Sequence, residues 1–352
     1  MKALILSIGF IVGIFWGVYP GLLKSRPLWM RLGLISMMTI MVFLALFPRI
    51  AGTPEDVALV HRMGMQKDIP VLCTIDAAKA EKQASGEWLI PVQGKERIFM
   101  LRLTANSLDG LGDGAPIIAD MKRGNSDAEL RLSRIIQIDP LITLPYIVGL
   151  EERARILYFH VPMSWIAFLA YIVSMIMSIR YLRNPSPRLD IIASSSAALG
   201  TVFCILATIS GAIWAKFNWG SFWNWDPRET SIFVLLLIYG AYFILRSAIE
   251  QEHTRARLSS VYAIIGAIAA VFFIYVAPRI YGGLHPGSAD DTNAGPVLSQ
   301  QAGTLDIFKQ IILSMAFCSF TMLYFWLLSL ASRIRLAGRD IQSTMLHKES
   351  HQ

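Results

Sequence analysis

Seven stretches of this chain are long and mostly apolar: residues 3–23, 29–48, 156–182, 190–214, 230–248, 259–281 and 305–331. A bilayer core of about 30 Å is crossed by roughly 20 apolar residues in a helix. In lipid every backbone N–H and C=O must be satisfied internally, which leaves helices or closed barrels as the spanning forms. Runs of this length are too long for barrel strands. The expected fold is therefore an all-α polytopic membrane protein of about seven transmembrane helices. Composition agrees, with 54% hydrophobic and only 16% charged residues, against about 25% charged in soluble domains. The net charge of +7 is then a topology signal, because Lys and Arg collect in cytoplasmic loops. It is no footprint for nucleic acid, and no nucleic-acid partner is expected.

The apolar runs divide the chain into an N-terminal transmembrane hairpin (1–48), an inserted domain (49–150), a transmembrane core (151–335) and a cytoplasmic tail (336–352). The first run exceeds a signal-peptide core in length and has no small-residue cleavage site before Lys24. In the insert, charge returns and Gly and Asp cluster between Asp109 and Gly114. Trp88–Val92, Arg97–Leu103 and Leu130–Ile135 alternate as strands do, and Gln93-Gly94 suits a hairpin turn. A small extracytoplasmic β-containing domain is expected there. His61 reads as a surface residue. Cys73, Cys204 and Cys318 are far apart, with no CxxC or CxxCH spacing, so they read as buried thiols, not as a disulfide, metal or haem-attachment set.

Arg180, Arg183 and Arg188 flank one connection of the core, Arg246, Arg255 and Arg257 another, and Arg333, Arg335 and Arg339 follow the last span. The connections between these basic ones hold a tryptophan-rich loop, Trp219–Glu229, and His285 with Asp290 and Asp291. By the positive-inside rule that loop, His285 and the insert lie outside. His160, at the start of the 156–182 run, is two crossings from the loop, and His285 is two crossings beyond it. An even number of crossings returns to the same face, so the three features share one end whatever the orientation.

Neutral imidazole is a good ligand for haem iron, and His160 and His285 can bind it from opposite sides. Trp219, Phe222, Trp223 and Trp225 offer faces for stacking on a porphyrin, with Gly220 in the same loop. Arg228 and Arg279 suit propionates, since a guanidinium grips a carboxylate with two parallel bonds. Asp226 is placed to hold the loop through indole or backbone N–H groups. Pro227 and Glu229 suit a helix first turn. Trp165, Trp214 and Trp326 read as interfacial aromatics.

Trp219-Gly220-x-x-Trp223-x-Trp225-Asp226-Pro227 resembles the WWD signature of the cytochrome c assembly, haem-handling membrane proteins, over roughly residues 150–332. The resemblance implies bis-histidine haem b bound without covalent attachment on the periplasmic side of a bacterial inner membrane. It also implies that two outward-facing histidines, here His160 and His285, flank the signature. Arg155–Pro162 resembles the CcmC type, which presents haem to a haem chaperone with help from ABC transporter subunits. Trp225–Thr230 resembles the CcsA type, a synthase subunit that joins haem to CxxCH apocytochromes c with a second membrane protein. The insert departs from both. The CcmC-like reading is preferred for the short core and its histidine segment, which makes the chain a haem-delivery protein that itself forms no covalent bond. A cofactor-free transporter ranks last, because the spans carry few ionisable residues near mid-bilayer.

Overall fold

The computed structural model describes residues 2–104, 114–285, 288–289 and 307–349. The Asp109–Asp113 part of the Gly/Asp cluster and Asp290 and Asp291 lie outside the described residues. The chain divides into two compact units, one of Met1–Ala45 with Arg155–Gln352, the other Leu46–Ala154.

The first unit is helical. Its helices are α1 (Lys2–Val18), α2 (Leu28–Leu46), α4 (Leu157–Arg183), α5 (Pro187–Trp219), α6 (Pro227–Ala248), α7 (Glu252–Val271), the short α8 (Ala277–Ile280) and α9 (Ile307–Glu349). The fold is that of a polytopic membrane protein. Six helical segments, α2, α4, α5, α6, α7 with α8, and α9, are long and apolar enough to span a bilayer. The seventh, α1, has 17 residues, at the short limit for a span. α9 continues through the expected tail. Its 43 residues give about 65 Å of helix, twice the hydrocarbon thickness.

Small residues let these helices approach, as packing between lipid-embedded helices favours. Gly9, Gly13 and Gly17 repeat every four residues and so line one face of α1. They lie against Ser314, Thr321 and Phe325 of α9; a Cβ on Gly13 would come 2.8 Å from Thr321 Cβ. Between α4 and α5, Ser196 donates to the Ala170 carbonyl at 2.6 Å and Ser174 to that of Ala193 at 2.9 Å. Tyr239 of α6 stacks on Tyr171 of α4 with ring centroids 3.6 Å apart. Trp165 packs on Phe10, Tyr275 and Phe317, and Trp326 joins the Leu34–Cys318–Met322 cluster. Both are half-buried and pack against neighbouring helices. At one end of the bundle Arg246 grips Asp190 through two bonds of 2.7 and 2.8 Å.

One helix is irregular. Between α7 and α8, Phe272–Val276 forms a π-turn, a wider winding that takes up a surplus residue. Pro278 follows in α8, with no N–H to return to the ladder.

The second unit is the small β domain. A six-stranded sheet has the order β2-β6-β7-β5-β4-β3, and β1 pairs with β8. The strands are β1 (Arg49–Ala51), β2 (Ile69–Thr74), β3 (Glu81–Lys82), β4 (Trp88–Gln93), β5 (Ile98–Leu103), β6 (Pro116–Arg123), β7 (Glu129–Ile138) and β8 (Thr143–Pro145). β4 and β5 form the expected hairpin, closed by Gly94 N–H on the Arg97 carbonyl at 2.9 Å. Val71, Ile90, Val92, Phe99, Leu101 and Ile117 fill its core beneath α3 (Pro54–Arg62). Cys73 is buried there, and burial pushes its thiol up to about 12. His61 is not a free surface residue, for it accepts from Arg123 at 2.6 Å.

Candidate functional site

The last three turns of α5 make the floor of the site. Ala207, Ser210, Gly211 and Trp214 recur at helical spacing and share one face. His160, in the first turn of α4, lies against it. Its Nδ1 is 3.0 Å from the Ala207 carbonyl and 3.1 Å from Ser210 Oγ. A carbonyl only accepts, so Nδ1 carries the proton and Nε2 keeps a bare lone pair. Gly211 permits this approach, since a Cβ there would stand 2.9 Å from His160 Cε1.

α5 stops at Gly220, whose φ of +84° is the left-handed cap that glycine adopts without strain. The loop ends on Trp225, at φ +56°, a region costly for a bulky side chain. Asp226 then caps α6, accepting Arg228 N–H at 2.9 Å, with Pro227 next in the first turn. Glu229 accepts Asn224 N–H at 2.7 Å and holds the loop back against the helix.

The same Asp226 reaches across to the segment after α8. It accepts Leu284 N–H at 2.6 Å, His285 N–H at 3.3 Å and His285 Nδ1–H at 2.7 Å. Burial opposes ionisation of this carboxyl, but the hydrogen bonds from His285, Arg228 and Leu284 outweigh it and hold it at about 2. With Nδ1 committed to a carboxylate, His285 also presents Nε2 as its free lone pair. Gly283 makes the contact possible; a Cβ there would lie 2.6 Å from Asp226 Oδ2. Ser288 Oγ fastens the turn by donating to the Gly283 and His285 carbonyls at 2.8 and 2.9 Å.

Trp219 meets the His285 ring edge-on at 4.7 Å, and Trp214 lies 6.3 Å from that ring and 5.0 Å from Trp219. Both imidazoles thus rest against the C-terminal part of α5. The structure brings together His160, Trp219, Asp226 and His285. Trp223 instead packs on Trp225 and Phe233, at 5.8 and 6.2 Å. Phe222 and Trp225 are 58% and 71% exposed. Arg279 donates to the Tyr275 carbonyl at 2.9 Å. Trp214, taken for an interfacial residue, was not read from the sequence as a contributor, nor were Ser210, Gly211, Gly283 and Ser288. Trp214 follows Ser210 and Gly211 at helical spacing, which puts it on the same face of α5.

The profile of the family described as CcmC, heme exporter protein C, matches residues 140–347 and so spans every residue of this site. The chain belongs to the heme exporter protein C family. It is similar to "Heme exporter protein C" of Rhodobacter capsulatus, 32% identical over 200 residues, which cover 56% of this chain and 79% of the relative. The Paracoccus denitrificans protein of the same name is 32% identical over 135 residues, 38% of this chain and 56% of the relative. "Cytochrome c biogenesis protein CcsA" of Coffea arabica is 34% identical over 99 residues, 28% of this chain and 30% of that protein. As a member of the heme exporter protein C family, the chain is a haem-handling membrane protein of cytochrome c maturation. Its α1, α2 and most of its β domain precede the family match.

Proposed function

We propose that this protein holds haem b between His160 and His285 on the periplasmic side of a bacterial inner membrane and delivers it to a haem chaperone. The observation that carries this reading is that both imidazoles spend Nδ1–H on protein acceptors and keep Nε2 free. Two neutral imidazoles make a six-coordinate haem site. Trp219, Phe222, Trp223 and Trp225 supply stacking surface, and Gly220 and Asp226 set the loop that carries it. Arg228 and Arg279 bind the propionates. The basic connections at the far end of the bundle support the periplasmic placing, and with it an extracytoplasmic β domain. ABC transporter subunits are the expected companions. His160→Ala and His285→Ala in the purified protein should each weaken a low-spin Soret band and lower cytochrome c maturation. Unchanged haem content and maturation in both variants would end this reading.

A second reading, a CcsA-like synthase subunit acting on apocytochrome c, is favoured by Trp225-Asp226-Pro227-Arg228-Glu229-Thr230 and by the similarity to CcsA. Maturation reconstituted with a second membrane subunit and no haem chaperone would select it.

A further inference from the structure

The two histidines are backed by different chemistry. His285 gives Nδ1–H to an anion at 2.7 Å, and the side chain of that anion is 1% exposed. Three backbone N–H groups, from Arg228, Leu284 and His285, hold the carboxylate in place, so it cannot swing off the ring. His160 gives its proton to a neutral carbonyl at 3.0 Å, with a neutral hydroxyl beside it. Hydrogen bonds to an ionised partner are roughly twice as strong as neutral ones. A carboxylate behind an imidazole also raises its basicity as a metal ligand.

We propose that Asp226 makes the two ligands unequal: His285 is the strong donor that stays on the iron, and His160 is the one that lets go when haem is passed on. This rests on the reading of His160 and His285 as iron ligands and adds to it which bond is retained and what sets the order. Asp226 is a positioning residue, acting through His285. Gly283 shares the role, because a side chain there would displace the carboxylate. When haem is passed on, His160 Nε2 would give up its place to a donor atom of the acceptor, while Asp226 would keep His285 in position.

Asp226 also caps α6, so a merely structural role has to be separated from tuning. Asn is as good an N-cap as Asp, so Asp226→Asn keeps the cap through one oxygen while it removes the charge and the acceptor shared by Leu284 and His285 N–H. Gly283→Ala is the reverse, moving the carboxylate with its charge intact. The measurements are the midpoint potential of the haem-loaded full-length protein and the rate of haem loss to excess apomyoglobin. Asp226→Asn should raise the potential, because ferric iron loses its anionic support. It should also speed haem loss by about 10- to 100-fold, the usual cost of removing such a partner. Gly283→Ala should move both readouts the same way, and Gly33→Ala, where a Cβ would meet nothing within 4 Å, should change neither. His285→Ala should lose haem faster than His160→Ala, and Asp226→Asn should add nothing to His285→Ala while still acting on His160→Ala.

Wild-type potential and loss rate in both Asp226→Asn and Gly283→Ala would overturn the proposal. So would faster loss from His160→Ala than from His285→Ala. If neither histidine variant alters the haem spectrum, the ligand reading itself falls. If they do and the Asp226 and Gly283 variants are silent, only the inequality falls.

Discussion

At the scale of residues, what is missing from a side chain matters as much as what is present. His160 reaches its hydrogen bonds because Gly211 has no Cβ, and Asp226 reaches His285 because Gly283 has none. The histidines and the tryptophan loop could be read from the sequence, since their chemistry is carried by their own atoms. The glycines could not, because their role is set by what stands opposite them in the folded chain. Gly211→Ala separates the two kinds of information. It removes a weak helix former from α5, worth up to about 1 kcal/mol in helix propensity, yet it crowds the His160 ring. The low-spin haem signal should fall while the thermal midpoint of the detergent-solubilised protein holds or rises. Loss of both together would mean that Gly211 serves packing alone.

At the scale of elements, the apolar runs told where helices lie but not which faces meet. Lipid and neighbouring helices are both apolar, so periodicity carries little about partners within a membrane. The docking of α1 on α9 is written in the Gly9-Gly13-Gly17 spacing. Gly13→Leu should lower stability by about 1–3 kcal/mol, the range for overpacking a tight contact. Gly33 of α2 has nothing within 4 Å of a built Cβ, and Gly33→Leu should be close to neutral in the same thermal-unfolding assay. Equal effects would show that the glycine face of α1 is not a contact that matters. In the β domain, β4, β5 and β7 were legible from alternation. β6 was not, because Ile117, Ile118 and Ala119 are buried in succession and its pairing with β7 shifts register twice. β2 has inward Ile69, Val71 and Cys73, but Pro70 argues against a strand on sequence grounds.

At the scale of the whole molecule, counting crossings was enough to put His160, the tryptophan loop and His285 at one end of the bundle. The contacts among them needed coordinates, because they depend on how far each helix is rotated when it arrives. The π-turn at Phe272–Val276 governs that rotation for His285. Upstream, Ala263, Ala267 and Ala270 seat α7 in the bundle; downstream, Gly283 and His285 must meet Asp226. One residue advances an α-helix by about 100°, so a surplus residue held in a wide turn works as a phase adjustment between the two. Deleting one residue of Phe272–Val276 should let the stretch close into ordinary α-helix and swing the His285 segment away from its carboxylate. Haem affinity should then collapse in a protein that still carries both histidines and still folds, and retained affinity would show that the turn absorbs no such offset. The position of His285 is in that sense spelled in chain length, a quantity that no inspection of side-chain chemistry would reveal.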